Sequence, residues 1–279
     1  MSIQTEHRPT ADRLAGEQPA GDQLTENQKA EAWDLIGSLF WESGRTTAKP
    51  SDEEIGLFTA GIEPGDRCTV VGASTKDLVE ALIALGAEVT VLDFSERMCA
   101  DLRAALPAGS CRVLRHDITR PAPAELRGTQ RFVLNDRLVN RFSETEALRG
   151  IEGMLDLLAD GGQLRASIKL GLYPMDERMI ELGTERGCVA TFFDAAEKVI
   201  DFGAAGDVLT DALLPHGDIA PELLLQWYRG RGREQRFDHE DIVALLGRAR
   251  VAERGLELLD AEEFGQAPKT RLYRAAAGA

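Results

Sequence analysis

From Cys68 to Lys169 the sequence alternates between two periodicities, and this alternation limits the fold more than any other feature of the chain. "CTVVGA" is a short apolar run ending near a glycine. "KDLVEALIALG" has helical spacing and stops at Gly86. "EVTVLDFS" is apolar again, "ERMCADLRAAL" helical, and "CRVLRHDIT" a third apolar run. "RFVLNDRLV", the helical "SETEALRGIEGMLDLLADGG" and "GQLRASIKLG" continue the series. Strands joined through helices pair in parallel, because the crossover returns the chain to the same starting edge. Further on, "DHEDIVALLGRA" reads as a helix, and "GLELLDAEEFG" and "TRLYRAAA" as two closing strands. The expectation is a doubly wound α/β fold, a seven-stranded, mostly parallel sheet over about residues 66–275 with helices on both faces.

The flanks read differently. Residues 1–23 are polar and without periodicity, the signature of a disordered tail. In residues 24–62, "TENQKAEAWDLIGSLFWES" opens with a capping-box pair, Thr25 and Gln28, and carries Ala32, Leu35, Ile36, Leu39 and Phe40 at helical spacing. Trp33 and Trp41 add bulk. A second short helix follows in "SDEEIGLFTAGI", with Ser51 as N-cap and Glu54 three residues on. These helices either pack on the main domain or form a helical lid over a ligand. Residues 63–279 make up the ligand-binding domain. Within it the alternation lapses over 171–237, where Pro174, Gly187, Gly203, Gly206, Pro215 and Pro221 interrupt helical pieces. That is too long for a plain loop, so a helical cap inserted after the fifth strand is expected there.

Composition excludes several classes. The net charge of −15 over 279 residues argues against nucleic acid, because phosphate binding needs a basic face. No apolar run reaches the roughly 20 residues that cross a bilayer, and the N-terminus lacks a signal-peptide core. The four cysteines show no metal-ligand spacing; Cys68 and Cys99 sit in apolar segments and read as small core residues. A cytoplasmic, reduced protein without a metal, acting on a small-molecule substrate, is expected.

In a doubly wound sheet, ligands bind beyond the C-terminal ends of the strands, where strand order reverses. Those ends are Gly72-Ala73-Ser74, Asp93-Phe94-Ser95, Asp117-Ile118 and Asn135-Asp136. Asp93 stands 21 positions after Gly72, where a carboxylate can accept both hydroxyls of a ribose. Asp117 can accept from the exocyclic amine of an adenine. With these residues in place, about residues 60–170 and, more weakly, 238–275 resemble the class I S-adenosylmethionine-dependent methyltransferases. The matching features are the Gly72–Lys76 turn, Asp93 in "VTVLDFS", Asp117 in "DIT", the "LLADGGQLRASIK" passage from helix to fifth strand, and the closing pair of strands. The resemblance implies S-adenosyl-L-methionine as co-substrate. It would be held by Gly72, Ala73 and Ser74 at the methionine arm, and by Asp93, Phe94, Ser95 and Met98 around the ribose. Asp117 and Ile118 would lie at the adenine and Asn135 near the sulfonium. The sequence departs from the family where Ser74 and Lys76 replace glycines. Ser74 is small enough for close approach, and Lys76 points either to solvent or to the cofactor's carboxylate. Ser-Thr-Lys is a poor copy of a pyrophosphate cradle, which favours S-adenosylmethionine over a dinucleotide.

The acceptor is expected between the fourth strand and the cap. Asn135, Asp136, Tyr173, His216, Tyr228 and Arg229 have the chemistry to orient it or take its proton. Bland alternatives stand beside each: Asp136, Arg137 and Arg141 as ion pairs, His216 as a loop residue, Trp227 and Tyr228 as core. "RGRGRE" is either a solvated turn or a carboxylate site. The expected function is small-molecule methyl transfer, where in-line positioning can supply ~7–11 kcal/mol at best. One alternative keeps the cofactor but transfers or cyclises its aminocarboxypropyl arm, releasing methylthioadenosine. A second is a non-catalytic cofactor-binding partner protein.

Overall fold

A computed structural model of the chain describes residues 20–42, 50–215 and 217–278. Most of the expected tail, residues 1–19, lies outside the described residues. Ala20 already begins the first helix, α1 (Ala20–Ile36), so helix starts within the expected tail. Thr25 and Gln28 lie inside this helix; their pattern marks a start only where the backbone actually leaves the helix. After α2 (Leu39–Glu42) comes α3 (Asp52–Thr59), closed by the expected capping box. Ser51 Oγ accepts from Glu54 N at 3.2 Å, and Ser51 N donates to Glu54 Oε2 at 2.7 Å.

The alternation then runs β1 (Arg67–Val71), α4 (Lys76–Ala84), β2 (Glu88–Asp93), α5 (Glu96–Ala105), β3 (Arg112–Arg115), β4 (Gln130–Asp136), α6 (Glu144–Leu157) and β5 (Leu158–Lys169). The cap contributes α7 (Pro174–Glu185), β6 (Phe193–Asp194), β7 (Val199–Asp201), α8 (Gly206–Ala212), α9 (Pro221–Arg231) and β8 (Arg233–Gln235). The chain ends in α10 (His239–Arg248), β9 (Arg250–Val251), β10 (Arg254–Glu263) and β11 (Thr270–Ala277). Among the described residues the main sheet has eight strands in the order β3-β2-β1-β4-β5-β11-β10-β9. Strands β1 to β5 pair in parallel; β11, β10 and β9 are antiparallel additions. The eighth strand, β9, corrects the expected count of seven. It is two residues long, too short for any periodic signal. The cap also differs from the expected all-helical insert. It folds around a three-stranded antiparallel sheet, β6-β7-β8, whose strands of two or three residues escape sequence reading for the same reason.

Each buried strand feeds both faces, since alternate side chains point to opposite sides. Val70, Val91, Phe132 and Leu134 pack with Leu78, Leu82, Met98 and Leu102 beneath α4 and α5. Val71, Leu92, Val133 and Leu164 pack with Ile151, Met154 and Leu245 beneath α6 and α10. Cys68 and Cys99 belong to the first group; burial pushes both thiols up to about 12, so they are inert apolar filling. The cap has its own core of Met175, Met179, Phe192, Ile200, Phe202 and Leu209. A last cluster, Ala32, Ile36 and Phe40 against Leu224 and Trp227, binds α1 to α9.

Candidate active site

Strand order reverses between β1 and β4, and a cavity of about 340 Å³ opens there. Its floor is Val71, Gly72 and Ser74 from the end of β1, with Asp136, Arg137 and Leu138 from the end of β4. Gly72 has φ +107°, a conformation costly for any residue with a Cβ. A Cβ built on Gly72 would find only Ser74 Oγ, 4.0 Å away, so the space beside it is open to a ligand. Lys76, expected at solvent or at a cofactor carboxylate, pairs with Glu80 at 2.7 Å.

Asp93 ends β2 as expected. Its Oδ2 accepts from Ala73 N and its Oδ1 from Ser95 N, both at 2.7 Å, which fixes the carboxylate against the β1 turn. A carboxylate has about four acceptor positions, so each oxygen keeps capacity for a ribose hydroxyl. Burial raises its pKa to about 6; the two backbone donors oppose the rise and the nearby Asp34 carboxylate adds to it. Ser95 caps α5, accepting from Met98 N at 3.0 Å, and Met98 is itself fully buried in the core. Phe94 is half-buried, its carbonyl accepting from Arg115 at 3.2 Å.

Ala73, Asp93, Phe94, Ser95 and Met98 lie beside the β1 turn but do not line the cavity, and further candidates also fall outside it. Asp117 Oδ1 accepts from the backbone and hydroxyl of Thr119 at 2.9 and 2.8 Å, an Asx turn in its own loop. Ile118 is core, and its carbonyl lies 2.0 Å from where a Cβ on Gly153 would sit. Asn135 points toward α6, its Nδ2 3.2 Å from Met154 Sδ, because strand alternation sends it to the face opposite Asp136. The expected position of Asn135 beside the sulfonium is therefore corrected. Arg229 projects outward, with Thr210 Oγ1 at 3.5 Å as partner. His216 lies outside the described residues.

Asp136, Tyr173 and Tyr228 do line the cavity. Asp136 Oδ1 accepts from Ser167 Oγ at 2.5 Å and from Arg137 at 2.6 Å. Arg137 holds a left-handed φ of +52°, the kind of strain stored at functional sites, and its guanidinium is tied to Glu54 of α3. The capping box of α3 thus also anchors the cavity floor.

The roof combines α1 and the cap. Trp33 and Phe40 face Trp227 with ring centroids 5.3 and 5.8 Å apart, and Trp227 meets Tyr228 at 4.9 Å. Helix α1 is latched on two sides. Asp34 Oδ1 accepts from Ser95 Oγ at 2.5 Å and from Arg97 N at 3.2 Å, while Lys29 pairs with Glu146 at 2.7 Å. Gly230 lets α9 approach it closely: a Cβ there would stand 2.6 Å from Ala32 Cβ.

Sequence reading missed the ionic framework behind this roof. Arg231 forks onto Glu234 at 2.7 and 2.6 Å, and Arg236 forks onto Asp176 at 2.6 and 3.1 Å. All four are buried. Burial opposes ionisation of Glu234, but Arg231, Arg141 and Arg236 hold it well below the usual carboxylate range. Arg141 and Lys169 line the cavity beside them; burial lowers both, with repulsion from Arg231 on the first and Arg137 on the second. The i, i+4 pair Trp227 and Arg231 at the end of α9 was the available signal.

Fold, strand order and cavity position define a protein of the class I methyltransferase fold. No family model and no curated protein matches the sequence. Among solved structures, a Rhodobacter sphaeroides protein with the provisional name Zn-dependent alcohol dehydrogenase is 49% identical, at TM-score 0.86. The match covers 89% of this chain and 98% of that one. The chain belongs to the family of that protein. The CcbJ methyltransferase from Streptomyces caelestis shares the fold at 18% identity and TM-score 0.58, covering 90% of this chain and 99% of its own. So does the 1,6-didemethyltoxoflavin-N1-methyltransferase of Burkholderia thailandensis, solved with that compound and S-adenosylhomocysteine, at 10% identity, TM-score 0.57 and 98% of both chains. No helix among the described residues is long and apolar enough to cross a membrane.

Proposed function

We propose that this protein is an S-adenosylmethionine-dependent methyltransferase acting on a small molecule. The observation that carries the reading is the open space at Gly72, continuous with a cavity walled by Asp136 and the aromatic roof, on this fold. When bound, S-adenosylmethionine would supply an electrophilic methyl carbon, to which the acceptor's nucleophile bonds as the carbon–sulfur bond breaks and S-adenosylhomocysteine leaves. Gly72 and Ser74 would hold the methionine arm, and Asp93, oriented by Ala73 N and Ser95 N, the ribose. Trp33, Phe40 and Trp227 exclude water and offer ring faces to a cation. Asp136, fixed by Ser167 and Arg137, is the carboxylate we assign to receive the acceptor's proton. Helix α1 is the lid.

The dehydrogenase name of the Rhodobacter sphaeroides relative finds little support in these residues. Zinc needs a cluster of deprotonated donors, and among the described residues no three His, Cys, Asp or Glu come together to hold a metal. The thiols of Cys68 and Cys99, raised to about 12, are poor ligands. We therefore derive no step through zinc.

Calorimetry with S-adenosylhomocysteine and with NAD, followed by product analysis, tests the reading. Binding of the first and S-adenosylhomocysteine formation from S-adenosylmethionine with an acceptor support it. Methylthioadenosine released from S-adenosylmethionine alone would assign chemistry on the aminocarboxypropyl arm instead, a reading favoured by Ser74 standing where the family has glycine. Binding without turnover would leave a non-catalytic partner protein, and binding of NAD alone would overturn the proposal.

A further inference from the structure

The wall of the cavity carries more positive than negative charge, although the chain as a whole is strongly acidic. Arg137, Arg141, Lys169 and Arg231 line it, against Asp136 and Asp176. Counting the groups directly behind adds Arg236 on one side and Glu54 and Glu234 on the other. Five cations then face four carboxylates. The carboxylates are taken: Glu54 and Asp136 by Arg137, Asp176 by Arg236, and Glu234 by Arg231 and Arg236, with Arg141 at 3.7 Å. Lys169 forms no salt bridge with any described residue; its ammonium sits 5.0 Å from the centre of the Tyr173 ring.

Two polar atoms on the same wall also lack partners. Trp227 is 2% exposed, and its Nε1, which can only donate, meets no acceptor among the described residues. The Tyr173 hydroxyl is buried and equally unpartnered. A buried donor left unpaired is destabilising. Two of them lining one cavity with an ammonium that has no salt bridge among the described residues are complementary to one kind of group, a monoanion with several acceptor lone pairs. The rings of Trp33, Phe40, Phe202, Trp227 and Tyr228 supply flat apolar walls around it.

We infer that the cap side of the cavity binds the carboxylate of an aromatic acid, which is the acceptor substrate. Lys169 neutralises the carboxylate, with Arg141 beside it, and Tyr173 and Trp227 donate to its oxygens. This substrate class rests on the methyltransferase reading only for its role as acceptor; the anion site itself rests on charge and unpaired donors.

The test is calorimetry on the full chain, ligand-free and with S-adenosylhomocysteine present. The probes are benzoate, phenylacetate and 3-phenylpropanoate, each against its primary amide. At least one acid should bind roughly tenfold or more tighter than its amide, as expected for a charge-assisted site. Lys169→Met should remove that preference while leaving S-adenosylhomocysteine binding in place. Tyr173→Phe deletes only an unpaired hydroxyl, so it should weaken the acid several-fold without lowering the melting temperature; a purely packing role would give neither result. Acids binding no better than amides, or not at all, overturn the inference. Acids that compete with S-adenosylhomocysteine, or a Lys169→Met variant that loses both ligands together, assign the site to the cofactor's own carboxylate and overturn it too. Failure of S-adenosylhomocysteine alone to bind overturns the methyltransferase reading, while the ligand-free comparison of acid with amide still decides the anion site.

Discussion

The proposed contact of Asp93 with the ribose predicts that affinity for S-adenosylhomocysteine depends on pH in a defined direction. Its carboxyl, 8% exposed, has its pKa raised from 3.8 to about 6, first by burial. In the proposed complex ribose hydroxyls donate to the ionised carboxylate, so binding favours deprotonation, and affinity should rise with pH through about 6. One unit below that value only about a tenth of Asp93 is ionised, so binding at pH 5 should be about tenfold weaker than at pH 7.5. The folded protein without ligand follows the opposite sign. A carboxyl raised in the folded state contributes stability that is full below pH 3.8 and lost as pH rises through about 6. Across that window the loss is about 3 kcal/mol, from roughly 1.4 kcal/mol for each unit. Asp93→Asn removes the titration; its amide also turns a donor toward either Ala73 N or Ser95 N, so binding should weaken by ~1.5–3 kcal/mol at pH 7.5. Isothermal titration of S-adenosylhomocysteine from pH 5 to 8, on both proteins, reads both effects. Equal affinity at pH 5 and 7.5, or the same slope in Asp93→Asn, would refute the assignment of Asp93 to the ribose.

Three further outcomes follow from packing. Gly230→Leu should push α1 off α9, since even a Cβ would stand 2.6 Å from Ala32 Cβ; ligand affinity should fall while the far-ultraviolet circular dichroism of the sheet is kept. Gly153→Ala should destabilise by ~1–3 kcal/mol or more in urea unfolding, because its Cβ would lie 2.0 Å from the Ile118 carbonyl. Glu234→Gln leaves Arg231 without its carboxylate and Arg236 with one fewer, and should cost ~3–5 kcal/mol by the same measurement; a loss under about 1 kcal/mol would show the cluster to be solvated.

The fold was legible because its evidence is repeated. Each of β1, β2 and β4 is buried along most of its length and carries a short apolar run, and the amphipathic segments between the strands read as crossovers. Capping residues were equally readable at α3, where Ser51 and Glu54 bond as expected. What escaped was structure below the length of a period. Strands β6, β7, β8 and β9 have two or three residues each, and their pairing depends on the cap's own core, on Phe192, Ile200 and Phe202, rather than on any local pattern.

At the site the limit of sequence reading is one of direction. Residue type and position near a strand end identified Asn135 and Asp136 together, but neighbours on a strand face opposite ways, and only Asp136 reaches the cavity. The same holds on α9, where Arg229 and Arg231 stand two apart on a helix. Two residues subtend about 200° of helix, so one arginine meets solvent and the other turns under Trp227, its guanidinium 4.6 Å from that ring. The charge of the pocket was hidden for a related reason. A chain carrying −15 overall gives no hint that Arg231 and Arg236 are folded inward, because partners such as Asp176 and Arg236 lie 60 residues apart. Only the cap's closure brings them together. That closure also decides which cation stays unpaired among the described residues, since Lys169 leaves β5 on the cavity side while Asp136 and Asp176 are held by Arg137 and Arg236, and Glu177 by Lys269.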